Sequence, residues 1–319
     1  MSLYIMTLSN KFNFFRLATT QRRNIYVGYI GRKNFGDDLL FDIYKHVTED
    51  DKAAPILDAV KLPWKLRGQV VLGGGTIIGG QIYLKTFEKL RRRPSIVFCA
   101  GVIPGALSKQ WIDLLKNTKI YTRSIESKDR LLSYGLDAVA LVDPAIFSSL
   151  IYPLSDQQPV GPVFAPHGHH TNVSLYRNLI EKVPILERPN ITLFASSIED
   201  EKISQFLAKE YGTRYLSGWK KVENSVSIIG SASYVISTRL HPAIVAASYG
   251  VPVRMVSYDE KHTEFANSIS ARSALFDLKS LDNEVASFSD GKRSSYIGTV
   301  AEWHEGYDKF CETFSLACR

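Results

Sequence analysis

The chain has 319 residues, 45% hydrophobic and 22% charged, which is too long for one ordinary core and too apolar for a disordered or fibrous chain. Lysine and arginine outnumber aspartate and glutamate 39 to 32, an excess that favours an anionic partner without naming it. No apolar run approaches the roughly 20 residues of a membrane-spanning helix, no cleavable apolar leader appears, and three cysteines (Cys99, Cys311, Cys318) are too few for a disulfide framework or a zinc site, so a cytoplasmic protein is expected.

Residues 1–23 form a basic N-terminal segment. Lys11, Arg16, Arg22, Arg23, Arg32 and Lys33 precede the first acid. The aromatic and basic run Lys11–Leu17 suits peripheral contact with an anionic membrane at its inner face. A solvated, frayed terminus is the plainer reading.

From residue 24 short apolar runs alternate with amphipathic stretches, which predicts parallel sheets flanked by helices. In 24–150, a first Rossmann-like domain, strands are expected at Asn24–Ile30, Val70–Leu72, Ser95–Ala100, Lys119–Tyr121 and Ala138–Val142. Helices are expected over Asp37–Val47, around Ile82–Arg92 and over Ser127–Tyr134, the last ended by Gly135. The Pro-, Gln- and Gly-bearing stretch from Ser148 to Gly161 loses periodicity, and 151–161 is read as a linker.

Alternation resumes in a second Rossmann-like domain, 162–296. Its expected strands are Pro162–Ala165, Ile191–Ala195, Tyr234–Ser237 and Val251–Val256. Its expected helices are Ser174–Lys182, Glu199–Tyr211, Asn224–Ala232 and Pro242–Tyr249. A last helix within 297–319 is expected to pack back on the first domain. Two such domains facing a cleft would present the loops that follow their strands.

Several post-strand segments carry chemistry-bearing residues. In Gly28–Asp38 three glycines join a strand to a helix that opens with Asn34, Gly36 and Asp37. The spacing fits neither the dinucleotide nor the P-loop glycine pattern. Such a helix N-terminus offers amides to an anion or hydroxyl, or Asn34 and Asp37 simply cap it. Gly73, Gly74 and Gly75 allow close backbone approach to a ligand, or tight packing. Arg123 offers a bidentate clamp or a salt bridge. Asp143-Pro144 is a cleft-facing acid or a turn cap. His167, His169 and His170 share one loop; they lack the spacing of a tetrahedral zinc site and suit substrate contact or acid–base work.

The strongest signal is Ser237-Thr238-Arg239-Leu240-His241-Pro242. It leads into the almost wholly apolar stretch Ala243–Tyr249, a helix that must be buried. Its N-terminal amides need a polar guest, and an anion shared with Arg239 fits. Alternatively Arg239 pairs with an acid and His241 caps. Lys261 supplies a further cation.

Asn34-Phe35-Gly36-Asp37-Asp38, Gly73-Gly74-Gly75, Gly101 with Pro104, Arg123, Asp143-Pro144, Arg239-Leu240-His241, Gly250-Val251-Pro252 and Lys261 run in this order over about residues 24–265. The ordered set resembles the polysaccharide pyruvyl transferase family, although Ser124 stands where members often carry an acid. The resemblance implies a GT-B-like fold, phosphoenolpyruvate as co-substrate with no further cofactor, and a glycan acceptor such as a lipid-linked oligosaccharide. The product would be a cyclic pyruvate ketal on a cell-surface or exopolysaccharide sugar.

In that scheme Arg239 and Leu240, with Arg123 and Lys261, hold the donor. His241 is the proton donor, and Asp37 or Asp143 orients or deprotonates the acceptor. Asn34, Gly36, Gly73, Gly74, Gly75, His167 and His169 line the acceptor or cleft loops, and no metal is required. The alternatives are a GT-B sugar-nucleotide glycosyltransferase and a non-enzymatic anion- or nucleic-acid-binding protein. The first would want an acid after a strand of the second domain, where none stands out. For the second, no recognition motif appears, so no nucleic-acid partner is expected.

Overall fold

The computed structural model describes residues 24–51, 53–56, 68–154, 160–168, 173–257, 259–268, 275–277 and 297–317. The basic segment 1–23 and His169 lie outside them. The described residues divide into two compact units, one drawn from Met1–Ile30, Tyr44–Leu141 and Cys311–Arg319, the other from Gly31–Ile43 and Val142–Phe310.

In chain order the first unit and its borders hold β1 (Ile25–Val27), α1 (Phe35–Thr48), β2 (Ala54–Ile56), β3 (Val70–Leu72), β4 (Gly75–Ile78), α2 (Gln81–Leu90), β5 (Ile96–Val102), α3 (Lys109–Leu115), β6 (Lys119–Thr122), α4 (Ile125–Leu132) and β7 (Val139–Ala140). The strands form one parallel sheet in the order β2-β1-β3-β5-β6-β7, with β4 also on β5. Strands β1, β3 and β5 are buried along their whole length, as continuous apolar runs are when helices cover both faces of a parallel sheet. Ser108 and Ser124 cap α3 and α4 by accepting from Trp111 N and Ser127 N. Trp111, Phe87 and Leu131 fill the core beneath them.

The second unit continues with a 3₁₀ turn (Pro144–Phe147), α5 (Ser148–Ile151), β8 (Val163–Ala165), α6 (Val173–Lys182), β9 (Thr192–Ala195), a 3₁₀ turn (Ile198–Asp200), α7 (Glu201–Tyr211), β10 (Arg214–Ser217), α8 (Val222–Gly230), β11 (Val235–Ser237), α9 (Leu240–Ser248), β12 (Val253–Ser257), α10 (Glu260–Ser268), β13 (Leu275–Asp277), α11 (Ile297–Glu305) and α12 (Tyr307–Ala317), whose last turns pass into the first unit. Its sheet runs β10-β9-β8-β11-β12-β13, again all parallel. Counted from β8, that is the doubly wound order 3-2-1-4-5-6, whose direction of travel reverses between β8 and β11. Both units are therefore Rossmann-like α/β layers, the fold class expected.

The unit boundaries differ from those read in the sequence. Residues 31–43, assigned to the first domain, belong to the second unit because they pair with its backbone. Phe35 N donates to Ser196 O at 2.8 Å and Ile198 N to Lys33 O at 3.1 Å, while Asn34 and Ser197 form an antiparallel bridge. The Phe35 ring meets Phe194 edge-on at 5.2 Å. The first domain ends at Leu141, not at 150, since Pro144–Phe147 are all buried and Phe147 packs on Tyr307 and Phe310. Ser148–Ile151 is helical instead of irregular; within the expected linker 151–161, residues 155–159 lie outside the described ones. The C-terminal stretch is two helices parted at Gly306, and Phe314 of the second packs edge-on against Phe98 and Tyr121.

Candidate active site

Ligands of open α/β sheets bind beyond the carboxyl ends of the strands where the order reverses. In the second unit β8 and β11 are hydrogen-bonded neighbours there, Ala165 standing opposite Ser237. Past these ends run Pro166-His167-Gly168 and Thr238-Arg239-Leu240-His241. On either side, β9 leads into Ser196-Ser197 and the 3₁₀ turn, and β12 into Asp259-Glu260-Lys261-His262.

The loop after β11 is locally fixed. Ser237 Oγ accepts from Arg239 N at 3.0 Å and donates to Arg239 O at 2.5 Å. Thr238 Oγ1 donates to Ala165 O at 3.1 Å and lies 3.2 Å from the Tyr176 hydroxyl. Helix α9 then begins with Arg239 as an extended N-cap residue that makes no side-chain cap bond. Leu240 and Pro242–Ser248 are buried, as expected for a helix apolar on all sides. Leu240 therefore belongs to the core, and any part it has in binding falls to its backbone.

His241 stands in the first turn of α9, its side chain 17% exposed. Its Nε2 is 3.8 Å from Asp143 Oδ2. The other carboxylate oxygen, Oδ1, accepts from Ala145 N at 3.1 Å, capping the 3₁₀ turn. Gly36 packs against the opposite edge of the imidazole: a Cβ there would lie 1.9 Å from Nδ1. Asn34 caps α1 by accepting from Gly36 N at 3.1 Å. The expected cap role of Asn34 thus coexists with a place beside His241. Asp37, in the same turn, is half-buried. Burial pushes the carboxyl of its neighbour Asp38 up to about 6, against the lowering effect of the Gly31 N–H it accepts at 2.7 Å.

Arg239 is held from behind. Its Nε donates to Asp200 Oδ2 at 2.9 Å, and its Nη2 to Asp200 Oδ1 at 2.5 Å and Ser197 Oγ at 2.8 Å. Glu199 Oε2 is 3.6 Å from Nη2. Among the described residues no partner holds Nη1. The pairing alternative raised for this arginine is therefore real, and the acid is Asp200, a fully buried residue whose side chain makes no cap bond to α7. The expectation that no acid follows a strand of this sheet is corrected by it. The signal for Asp200 was present: Ser197-Ile198-Glu199-Asp200 has the spacing of a capping box, and Asp200 does accept from Ser197 N at 2.9 Å.

His167 is buried beside Gly168, whose N donates to Asp200 Oδ1 at 2.8 Å. Lys261 is paired with Asp259 at 3.0 Å. Its neighbour His262, not singled out in the sequence, is fully buried with Nδ1 3.3 Å from Asp259 O; burial lowers it to about 4, helped by the Lys261 charge.

Arg123 and the glycine triplet belong to the first unit. The Arg123 side chain lies along Gly101, where a Cβ would come within 2.9 Å of Nε, and its Nη2 donates to Thr76 Oγ1 at 2.8 Å. A Cβ on Gly73 would lie 2.2 Å from Tyr26 Cζ, and Gly74 N donates to the Tyr26 hydroxyl at 2.8 Å. Packing of one tyrosine thus accounts for Gly73, while Gly74 gives that tyrosine a main-chain bond that does not itself call for glycine. The third, Gly75, opens β4 with φ +91°, backbone that favours glycine. Among the described residues no group of three or more His, Cys, Asp or Glu side chains is placed to hold a metal. No described helix is long and apolar enough to cross a membrane.

The family model described as polysaccharide pyruvyl transferase matches residues 32–260, and no curated protein sequence matches the chain. Among solved structures, an uncharacterised protein from Klebsiella pneumoniae superposes with a TM-score of 0.50 at 14% identity, over 85% of this chain and 99% of that one. A UDP co-structure of MnaA from S. aureus gives 0.47 at 12%, over 92% and 96%. A trehalose-6-phosphate synthase gives 0.44 at 11%, over 78% and 72%. The first of these likenesses concerns the fold alone.

Proposed function

The chain belongs to the polysaccharide pyruvyl transferase family, and on that premise we propose that it moves the enolpyruvyl group of phosphoenolpyruvate onto two hydroxyls of one glycan sugar. The observation that carries this reading is the His241–Asp143 pair in the first turn of α9, next to Arg239 at the reversal point of the second sheet. A phosphate or carboxylate suits the positive end of this helix and the remaining face of Arg239.

The reaction needs a proton on the methylene carbon of the donor, which makes the adjacent carbon electrophilic. His241 supplies it, with the Asp143 carboxylate 3.8 Å from its Nε2 to steady the imidazole ring. One sugar hydroxyl then bonds to that carbon and loses its proton. The second hydroxyl displaces phosphate, which leaves with the remaining proton. The methylene becomes the methyl of a cyclic ketal, and no electrons change hands, so the scheme requires no cofactor beyond the co-substrate.

Asp143 serves His241 here instead of the acceptor, which leaves Asp37 or Asp38 as the carboxylate for the sugar. A lipid-linked oligosaccharide at the inner membrane face is the acceptor class that suits the basic segment 1–23, in exopolysaccharide or cell-surface glycan synthesis. Incubation with phosphoenolpyruvate and a panel of glycans, read by phosphate release and the mass of an added ketal, tests the activity. Folded His241→Ala and Arg239→Ala variants turning over at the parent rate would overturn the assignment.

A further inference from the structure

We propose that Asp200 is a positioning residue for donor binding: it acts through Arg239, holding the guanidinium so that one edge is committed and only the Nη1 face meets the anion. This rests on the reading of phosphoenolpyruvate as donor. What carries it is the number of separate chain segments converging on one buried carboxylate. Asp200 has no exposed surface. Its Oδ1 accepts from Gly168 N, past β8, and from Arg239 Nη2, past β11. Its Oδ2 accepts from Arg239 Nε and from both N and Oγ of Ser197, past β9. Three loops from the three adjacent strands β9, β8 and β11 are therefore tied at one point, at the reversal of strand order.

An arginine serving only as a surface cation would not need this. Long charged side chains sample many rotamers, and an anion site built on a loose guanidinium loses affinity to its ordering. With Nε and Nη2 already bonded, that ordering precedes binding. The pairing also limits what Arg239 does. A fork that has spent two of its three nitrogens on a carboxylate is not a bidentate clamp for a second one. The donor's other charge is left to the α9 amides and to His241. The close packing of Gly168 on the 3₁₀ turn, where a Cβ would lie 2.0 Å from Glu199 O, keeps the loop after β8 in register with the same carboxylate.

The test is a double-variant cycle in the full chain with Asp200→Asn, Arg239→Ala and the pair, alongside the milder Ser197→Ala in case Asp200→Asn does not fold. Steady-state kinetics in phosphoenolpyruvate should show KM rising about tenfold or more for Asp200→Asn, and severalfold for Ser197→Ala, with a smaller change in kcat. In the Arg239→Ala background Asp200→Asn should cost no further activity. Losses that multiply, or that fall on kcat alone, overturn the proposal and point to a merely structural carboxylate. A donor-independent readout separates this from failure of the functional reading. The Nε–H proton of Arg239, identified by its disappearance in Arg239→Ala, should exchange slowly with water in the parent and fast in Asp200→Asn or Ser197→Ala. Unchanged exchange overturns the positioning role even if turnover is seen. Slow parent exchange without any turnover of phosphoenolpyruvate leaves the positioning of Arg239 standing and sinks the donor assignment.

Discussion

Replacing Gly36 by alanine puts a methyl group where the His241 ring now stands, since that Cβ would lie 1.9 Å from Nδ1, 2.5 Å from Cε1 and 2.6 Å from Cγ. The imidazole cannot absorb this at its flexible end, because these atoms span the ring. Its far nitrogen faces Asp143, and its backbone is fixed in the first turn of a buried helix. Two effects oppose each other. Alanine at a helical position is worth about 0.5–1 kcal/mol more than glycine, while forcing a methyl group into a packed site costs about 1–3 kcal/mol. Gly36→Ala alone should therefore destabilise by roughly 1–2 kcal/mol and, by displacing His241, abolish most donor turnover. In a His241→Ala background the obstruction is gone, and the same substitution should be neutral or stabilising by up to about 1 kcal/mol. Urea unfolding of the four proteins gives the coupling, expected at about 1–3 kcal/mol. A Gly36→Ala that costs as much without the imidazole as with it would refute the contact, and with it the placement of His241 against α1.

Two further outcomes follow from the buried groups. His262 is lowered to about 4 by burial, so the unfolded chain takes up a proton near the ordinary histidine value while the folded one refuses it. Its contribution is present above about pH 6.5 and is lost as pH falls toward 4, by on the order of 3 kcal/mol. Asp38, raised to about 6, has the opposite sign. It favours the folded state at low pH and loses about 1–2 kcal/mol of that as pH rises from about 4 to 6, after allowance for its exposed part. Urea midpoints between pH 4.5 and 7 should therefore steepen in Asp38→Asn and flatten in His262→Gln; equal slopes in all three proteins contradict both assignments. Gly73→Ala drives a methyl into the Tyr26 ring and should lower stability by about 2 kcal/mol, an effect removed by Tyr26→Ala. Thermal melts of the two singles and the double check it, and a Gly73→Ala that melts like the parent means the glycine is there for something other than tyrosine packing.

The parts of this site that were legible in the sequence are those carried by short spacing. Ser237-Thr238-Arg239-Leu240-His241-Pro242 announced itself because a largely polar hexapeptide runs straight into a helix with no polar face, and the structure puts it at the reversal point of the second sheet. Asn34 was readable as a cap for the same local reason, whereas the helix expected to begin at Ser127 begins at Ile125, behind Ser124 as its cap. What stayed hidden depends on strand order. The partnership of Asp200 with Arg239 needs β9 and β11 to flank β8, and no spacing along the chain states that. The contact of Gly36 with His241 and the debt of Gly73 to Tyr26 are long-range in the same way. Strand β10 escaped notice because it is a half-exposed strand at the sheet edge, beginning at an exposed Arg214. Strand β4 escaped because it begins at the end of a glycine triplet that reads as loop.

The second unit is sewn from two stretches of chain, and its early stretch, 31–43, donates and accepts main-chain bonds around Ser196–Ile198. During synthesis that stretch emerges long before its partners and must stay available until β9 has been made. The wall of Gly36 against which His241 rests can therefore form as soon as Ser196–Ile198 have been made, so that Arg239 and His241, which follow in the chain, are delivered to a setting already built.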